Sequence, residues 1–242
     1  MPKLFIISRR MFLGGAAASG GLILTACSKS TDNAIRKEDN SMKKDAKQEE
    51  VSPAEDLMRE HGILKRVLLI YRESIRRIDS KQDFSPEVLT ASANLIRRFI
   101  EDYHEKLEEE HLFPRLHRAG SLVELVDVLE EQHKKGRGLT DTVVQLATPS
   151  GIKKLETRMK IRDTLHLFVH MYEPHEARED TVLFPAFRKI VSPNEYDALG
   201  EDFEKKEHEL FGDEGFEKNV EEVSKLEKAL GIYDLAQFTP SE

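Results

Sequence analysis

Tryptophan is absent from this chain, and cysteine occurs once, at Cys27. A single thiol excludes an intrachain disulfide framework and a thiolate metal cage. No stretch alternates polar and apolar residues over a useful length, so strands are not expected. Long apolar runs are lacking too: residues 12–25 are too few, and too small in side chain, to make a good membrane span. The basic residues form no stripe, and with a net charge of −8 they argue against nucleic acid as the main partner. What abounds is charge, at 34% of the 242 residues. Leu, Glu, Lys and Arg dominate after residue 52, a composition that favours helices. The length suits one large domain or two small ones and is ample for a sizeable core.

The N-terminus reads as a targeting segment rather than as fold. Ser8-Arg9-Arg10-Met11-Phe12-Leu13 resembles a twin-arginine export motif, and Leu24-Thr25-Ala26-Cys27 resembles a lipobox. Together they imply cleavage before Cys27, a lipid on that cysteine, and a protein anchored outside the cytoplasm, in the periplasm or at the outer-membrane face. Removing residues 1–26 takes away Lys3, Arg9 and Arg10 and no acids, which leaves a mature net charge of −11. Residues 27–52 are polar and nearly free of large apolar groups, so they read as a disordered tether.

Helix starts are well marked beyond it. Ser52-Pro53-Ala54-Glu55 is a capping box with proline at the first helical position. Ser85-Pro86-Glu87 and Ser121-Leu122-Val123-Glu124 start the next two helices, a fourth runs from about Ile152 to Lys189, and Ser192-Pro193-Asn194-Glu195 opens a fifth. A sixth lies near residues 213–230, ended by Gly231. The apolar stripe Leu57, His61, Leu64, Leu68, Tyr71, Ile75 has heptad-like spacing, as has Leu122, Val126, Leu129, His133. Such stripes are buried naturally in an up-down-up-down four-helix bundle. The expected organisation is an all-α bundle over residues 53–190 with two further helices over 191–242, which cover it.

Two stretches of the chain nearly repeat: HEKLEEEHLFP at 104–114 and HEAREDTVLFP at 175–185. His61 follows the Ser52 cap by nine residues and His133 follows Ser121 by twelve, while His104 and His175 each precede a proline by ten. In antiparallel neighbours these counts put all four histidines roughly 14–18 Å from one end of the bundle, in one layer. Glu108 and Glu179 each stand four residues after a histidine, on the same helix face. The steps from His61 to His104 and from His133 to His175 are 43 and 42 residues, so the layer reads as two similar hairpins. Buried carboxylates beside imidazoles call for a cation, and this donor set suits iron, manganese or zinc. His111, His166, His170, His117 and His208 read as packing or solvated residues, and Glu201, Glu204 and Glu207 as an exposed acidic face. Tyr172 faces inward, three residues before His175, where its hydroxyl could reach a metal-bound ligand or a carboxylate, or the ring could simply pack in the core.

Leu57-Met58-Arg59-Glu60-His61, the two HxxxE…LFP blocks and residues 131–137 resemble the hemerythrin family, specifically its HHE cation-binding domain, over about residues 54–190. The resemblance implies a non-haem centre of two iron ions, in preference to manganese or zinc, that meets O2, NO or peroxide. By motif match it makes His61, His104, Glu108, His133, His175 and Glu179 the ligands. Oxygen-carrying members have HxxxH on the third helix, whereas Arg137 stands in the second of those places, and Asp180 competes with Glu179 as ligand. The implied functions are gas or peroxide binding, sensing or reduction, or iron handling, with an oxidoreductase activity if the irons turn over. The alternatives are an O2- or iron-binding sensor without turnover and a structural lipoprotein holding zinc.

Overall fold

A computed structural model describes residues 51–83 and 85–240. The expected signal segment, Cys27 and the expected tether up to residue 50 lie outside the described residues. Six helices and no strand occur among those described. They are α1 (Pro53–Asp79), α2 (86–119), α3 (Val123–Leu146), α4 (155–190), α5 (Pro193–Phe211) and α6 (Gly215–Leu230), followed by a short 3-10 turn, Leu235–Phe238. No helix among the described residues is long and apolar enough to cross a membrane.

Three starts follow one chemical recipe. Ser52, Ser85 and Ser192 lie in extended backbone, and each hydroxyl accepts from the backbone N–H three residues on, with proline at the first helical position. Ser121 does not cap α3. Its own N–H closes the end of α2 on the Leu116 carbonyl at 3.0 Å, behind Gly120 in the left-handed region at φ 63°. Helix α3 therefore starts after Leu122, itself left-handed at φ 55°. Helix α4 begins at Leu155 rather than near Ile152, because residues 148–151 close a turn in which the Thr148 hydroxyl accepts from the Gly151 N–H. Helix α6 begins at Gly215 rather than Asp213, since Glu214 is left-handed.

Two helices change pitch. In α2 the segments Ile96–His104 and Glu108–Leu112 are π-helical, and in α4 the segment Glu179–Leu183 is. Glu108–Leu112 and Glu179–Leu183 begin at the candidate carboxylates and run into Phe113-Pro114 and Phe184-Pro185. A proline lacks an N–H and its ring crowds the carbonyl four residues back, so a widened turn there relieves the clash.

Helix α1 packs on α2 and α4, and α3 also packs on α2 and α4, so the four long helices neighbour one another in a ring. Every member of the expected α1 stripe is buried; Leu57, His61, Leu64, Leu68 and Tyr71 are at most 3% exposed. Each large apolar side chain taken fully from water contributes about 1.5–3 kcal/mol. Helix α6 lies across α1 and α2, and α5 packs on α1 and α6. Arg66 pins α6 by donating to Glu227 at 2.9 and 2.5 Å and to Ser224 Oγ at 2.8 Å.

Candidate metal centre

The fold brings all six sequence-predicted residues into one buried layer. His61, on α1, and His104, on α2, lie with ring centroids 4.7 Å apart, and His133, on α3, and His175, on α4, lie 5.1 Å apart. All four imidazoles turn Nε2 inward toward two carboxylates. Glu179 has Oε2 3.3 Å from His61 and Oε1 3.1 Å from His175. Glu108 Oε2 is 3.7 Å from His104 and 3.6 Å from His133. Both glutamates thus stand between the two imidazole pairs. Donor atoms of His61, His104, Glu108 and Glu179 converge within 4.8 Å, as do those of His133, His175 and Glu179. Each group could hold a metal ion, and Glu179 belongs to both.

The electrostatics point the same way. Among the described residues no donor makes a well-formed hydrogen bond to either oxygen of Glu108 or of Glu179, although all four oxygens are buried. Burial and then the charge of Glu179 push the Glu108 carboxyl well above its usual range. Burial works against the Glu179 charge too, but His175 and His61 hold it well below the usual range. His61 is disfavoured as a cation by burial, yet Asp180 and Glu179 raise it to about 9. Burial and its imidazole neighbours drive His104 well down. Without a cation the layer therefore retains protons to neutralise its own acids. A divalent ion would release them and satisfy the orphaned oxygens.

Behind the layer each imidazole is braced through Nδ1, and the brace always comes from the preceding helix around the ring. Glu60 on α1 accepts from His104 at 2.8 Å, and Glu109 on α2 from His133 at 3.1 Å. Gln132 on α3 accepts from His175 at 2.8 Å, and Asp180 on α4 from His61 at 2.7 Å. Such partners fix the ring and present Nε2 as the free lone pair. Glu179 faces the layer, toward Nε2 of His61 and His175, and Asp180 stands behind it, against Nδ1 of His61. Sequence reasoning missed Glu60, Glu109 and Gln132. The available signal was adjacency, because each brace sits one residue from a candidate ligand, about 100° further around its helix.

The repeated Leu-Phe-Pro has a role as well. Phe113 stacks on His133 at 5.5 Å and Phe184 on His61 at 5.7 Å, so each block shields an imidazole of another helix from water. Arg137 lies outside the layer and donates to Glu105 at 2.8 Å and Glu109 at 2.5 Å. Tyr172 is buried, and its hydroxyl donates to Glu105 at 2.7 Å. Gly136 makes this possible, since a Cβ there would lie 2.0 Å from the Tyr172 oxygen.

The other expectations divide. His166 and His170 are exposed, and His111 packs edge-on against Phe203 at 5.4 Å. Glu207 corrects the reading of an exposed acidic face. It is 5% exposed, accepts from the Phe216 N–H at 2.6 Å, and gathers with Asp56 and Glu60, because the start of α6 folds back over it.

The hemerythrin HHE cation binding domain matches residues 52–150, a span that ends before His175 and Glu179. Uncharacterized proteins of Mycobacterium tuberculosis and Mycobacterium bovis are 46% identical over 243 residues, covering 99% of this chain and 93% of theirs. No solved structure matches the chain.

Proposed function

Because the chain belongs to one family with these mycobacterial proteins and carries a hemerythrin HHE cation-binding domain over residues 52–150, we propose that it holds a non-haem centre of two iron ions in an up-down-up-down, hemerythrin-like four-helix bundle. His61 and His104 would hold one ion and His133 and His175 the other, with Glu108 and Glu179 shared between them. The observation that carries this reading is the pair of buried carboxylates whose four oxygens, among the described residues, find no well-formed hydrogen-bond donor and face four imidazole Nε2 atoms. Four imidazoles and two shared carboxylates would leave room at each ion for a small ligand.

Bound iron supplies one-electron chemistry and open positions for a small ligand such as O2, NO or peroxide. The protein contributes the rest. The ring of braces holds each imidazole in the tautomer that can ligate. Phe113 and Phe184 keep bulk water off two of the rings. Buried Glu108 and Glu179 favour a doubly charged cation, which would take the place of the protons that neutralise the layer in its absence. The N-terminal motifs support an extracytoplasmic protein, exported by the twin-arginine route and anchored through lipidated Cys27, that binds, senses or reduces such ligands.

Metal content and the optical spectrum of the purified chain, before and after reduction and exposure to NO, test the proposal. Two irons per chain and near-ultraviolet iron bands that bleach on reduction are expected. One zinc per chain, retained in His61→Ala and Glu179→Ala, would overturn it.

A further inference from the structure

The four braces are alike in position but not in chemistry. We infer that Glu60 and Gln132, which occupy matching places one residue before His61 and His133, make the two metal positions unequal, so that the position held by His133 and His175 is the more easily reduced. The inference rests on the di-iron reading above and goes beyond it by assigning different properties to the two halves of a site built from similar repeats.

At the His61/His104 position both imidazoles donate to carboxylates, at 2.7 Å to Asp180 and 2.8 Å to Glu60. Glu60 is 1% exposed, so water does little to weaken its bond. A carboxylate draws the Nδ1 proton strongly and makes Nε2 a richer donor, which favours the more highly charged metal. At the other position the His175 acceptor is the neutral amide oxygen of Gln132, at 2.8 Å. The His133 acceptor is a carboxylate, but its charge is already shared. Glu109 Oε1 also takes Arg137 at 2.5 Å, Oε2 takes Lys106 at 2.5 Å, and the imidazole is left at 3.1 Å. Lys65 offers Asp180 a weaker counterpart, 3.4 Å from the oxygen that does not meet His61. Two differences therefore run one way: a carboxylate at Glu60 against an amide at Gln132, and a 2.7 Å bond at His61 against a 3.1 Å bond at His133.

An added one-electron reductant would deliver one electron per ion and be oxidised in step, and no bond to the protein need break. The ion with poorer donors would take the first electron and the ion backed by Glu60 and Asp180 the second. A change of brace alters metal affinity about 10–100-fold. Expressed between two oxidation states of one ion, that corresponds to a shift of about 59–118 mV in one step, at 59 mV per tenfold for one electron.

The test is a redox titration of the iron-loaded full chain, followed by electron paramagnetic resonance of the half-reduced form, beside Glu60→Gln and Gln132→Glu. Both variants keep side-chain shape, and far-ultraviolet circular dichroism checks their helices. Two separated steps are expected in the wild type. Gln132→Glu should lower the upper step and leave the lower one, whereas Glu60→Gln should raise the lower step and leave the upper one. Steps that move together, or do not move, in chains that hold two irons overturn the inference while leaving the di-iron reading intact. Fewer than two irons in the wild type overturns the reading itself, and the inference with it.

Discussion

Replacement of Glu108 by glutamine separates what this residue costs the fold from what it gives the site. In the metal-free protein burial and Glu179 hold the Glu108 carboxyl well above the usual carboxylate range, which favours its protonated form. Glutamine has the same shape and charge as that protonated acid and leaves a comparable polar group buried. The metal-free stability should therefore change by no more than about 1 kcal/mol. The loaded protein behaves differently. An ion at a thousand times its dissociation constant stabilises the fold by about 4 kcal/mol, which for a domain of this size raises Tm by roughly 8–16 °C. Glu108→Gln removes a shared ligand of both positions and should abolish most of that rise. The assay is thermal unfolding of wild type and variant, each with chelator and with excess ferrous iron under anaerobic conditions. A variant several degrees less stable in chelator, yet still stabilised by metal as the wild type is, would refute the reasoning.

Three further outcomes follow from the same geometry. Gly136→Ala should cost about 2–4 kcal/mol, because its Cβ would lie 2.0 Å from the Tyr172 oxygen and displace the hydroxyl from Glu105; chemical denaturation measures it, and a neutral result refutes the packing. Glu179→Gln should lose both metals, whereas Asp180→Asn should retain two with about 10–100-fold weaker affinity, as read by chelator competition; equal losses would contradict their placement before and behind the imidazoles. The metal-free protein should lose stability as pH rises from roughly 6 to 9. His61, raised to about 9, adds stability below its unfolded value of 6.5 that is lost as pH climbs through 9, and Glu105 and Glu176, raised to about 8 and 7, bind protons in the fold that the unfolded chain has already released. Metal displaces the protons from the layer, so the Tm gain on loading should grow over the same interval, and a constant gain would count against proton release.

Much of this was legible in the chain. The Ser-Pro starts are local chemistry, and three of them form the caps their residues dictate. The layer was legible because helix rise converts residue counts into height, and the counts from Ser52 to His61 and from Ser121 to His133, nine and twelve, lie close to the ten from His104 and His175 to their prolines. Ser121 misled because two helix ends compete for one short turn, and the closing hydrogen bond to Leu116 prevails. The π-helical turns at Glu108 and Glu179 were not legible, since they depend on how the following proline is relieved. Glu207 was misplaced because its burial depends on α6 folding back across α1 and α2, a long-range contact that no local pattern encodes. The braces were hidden for a related reason: each acts on a different helix, so only the assembled ring gives Glu60, Glu109, Gln132 and Asp180 their meaning.

The most direct measurement of the central claim is element-specific anomalous diffraction from crystals of the iron-loaded chain. The account predicts two iron peaks in one layer, one between His61 and His104 and one between His133 and His175, with Glu108 and Glu179 reaching both. A single peak, or iron lodged instead among Glu105, Glu109 and the Nδ1 side of His133, would contradict it.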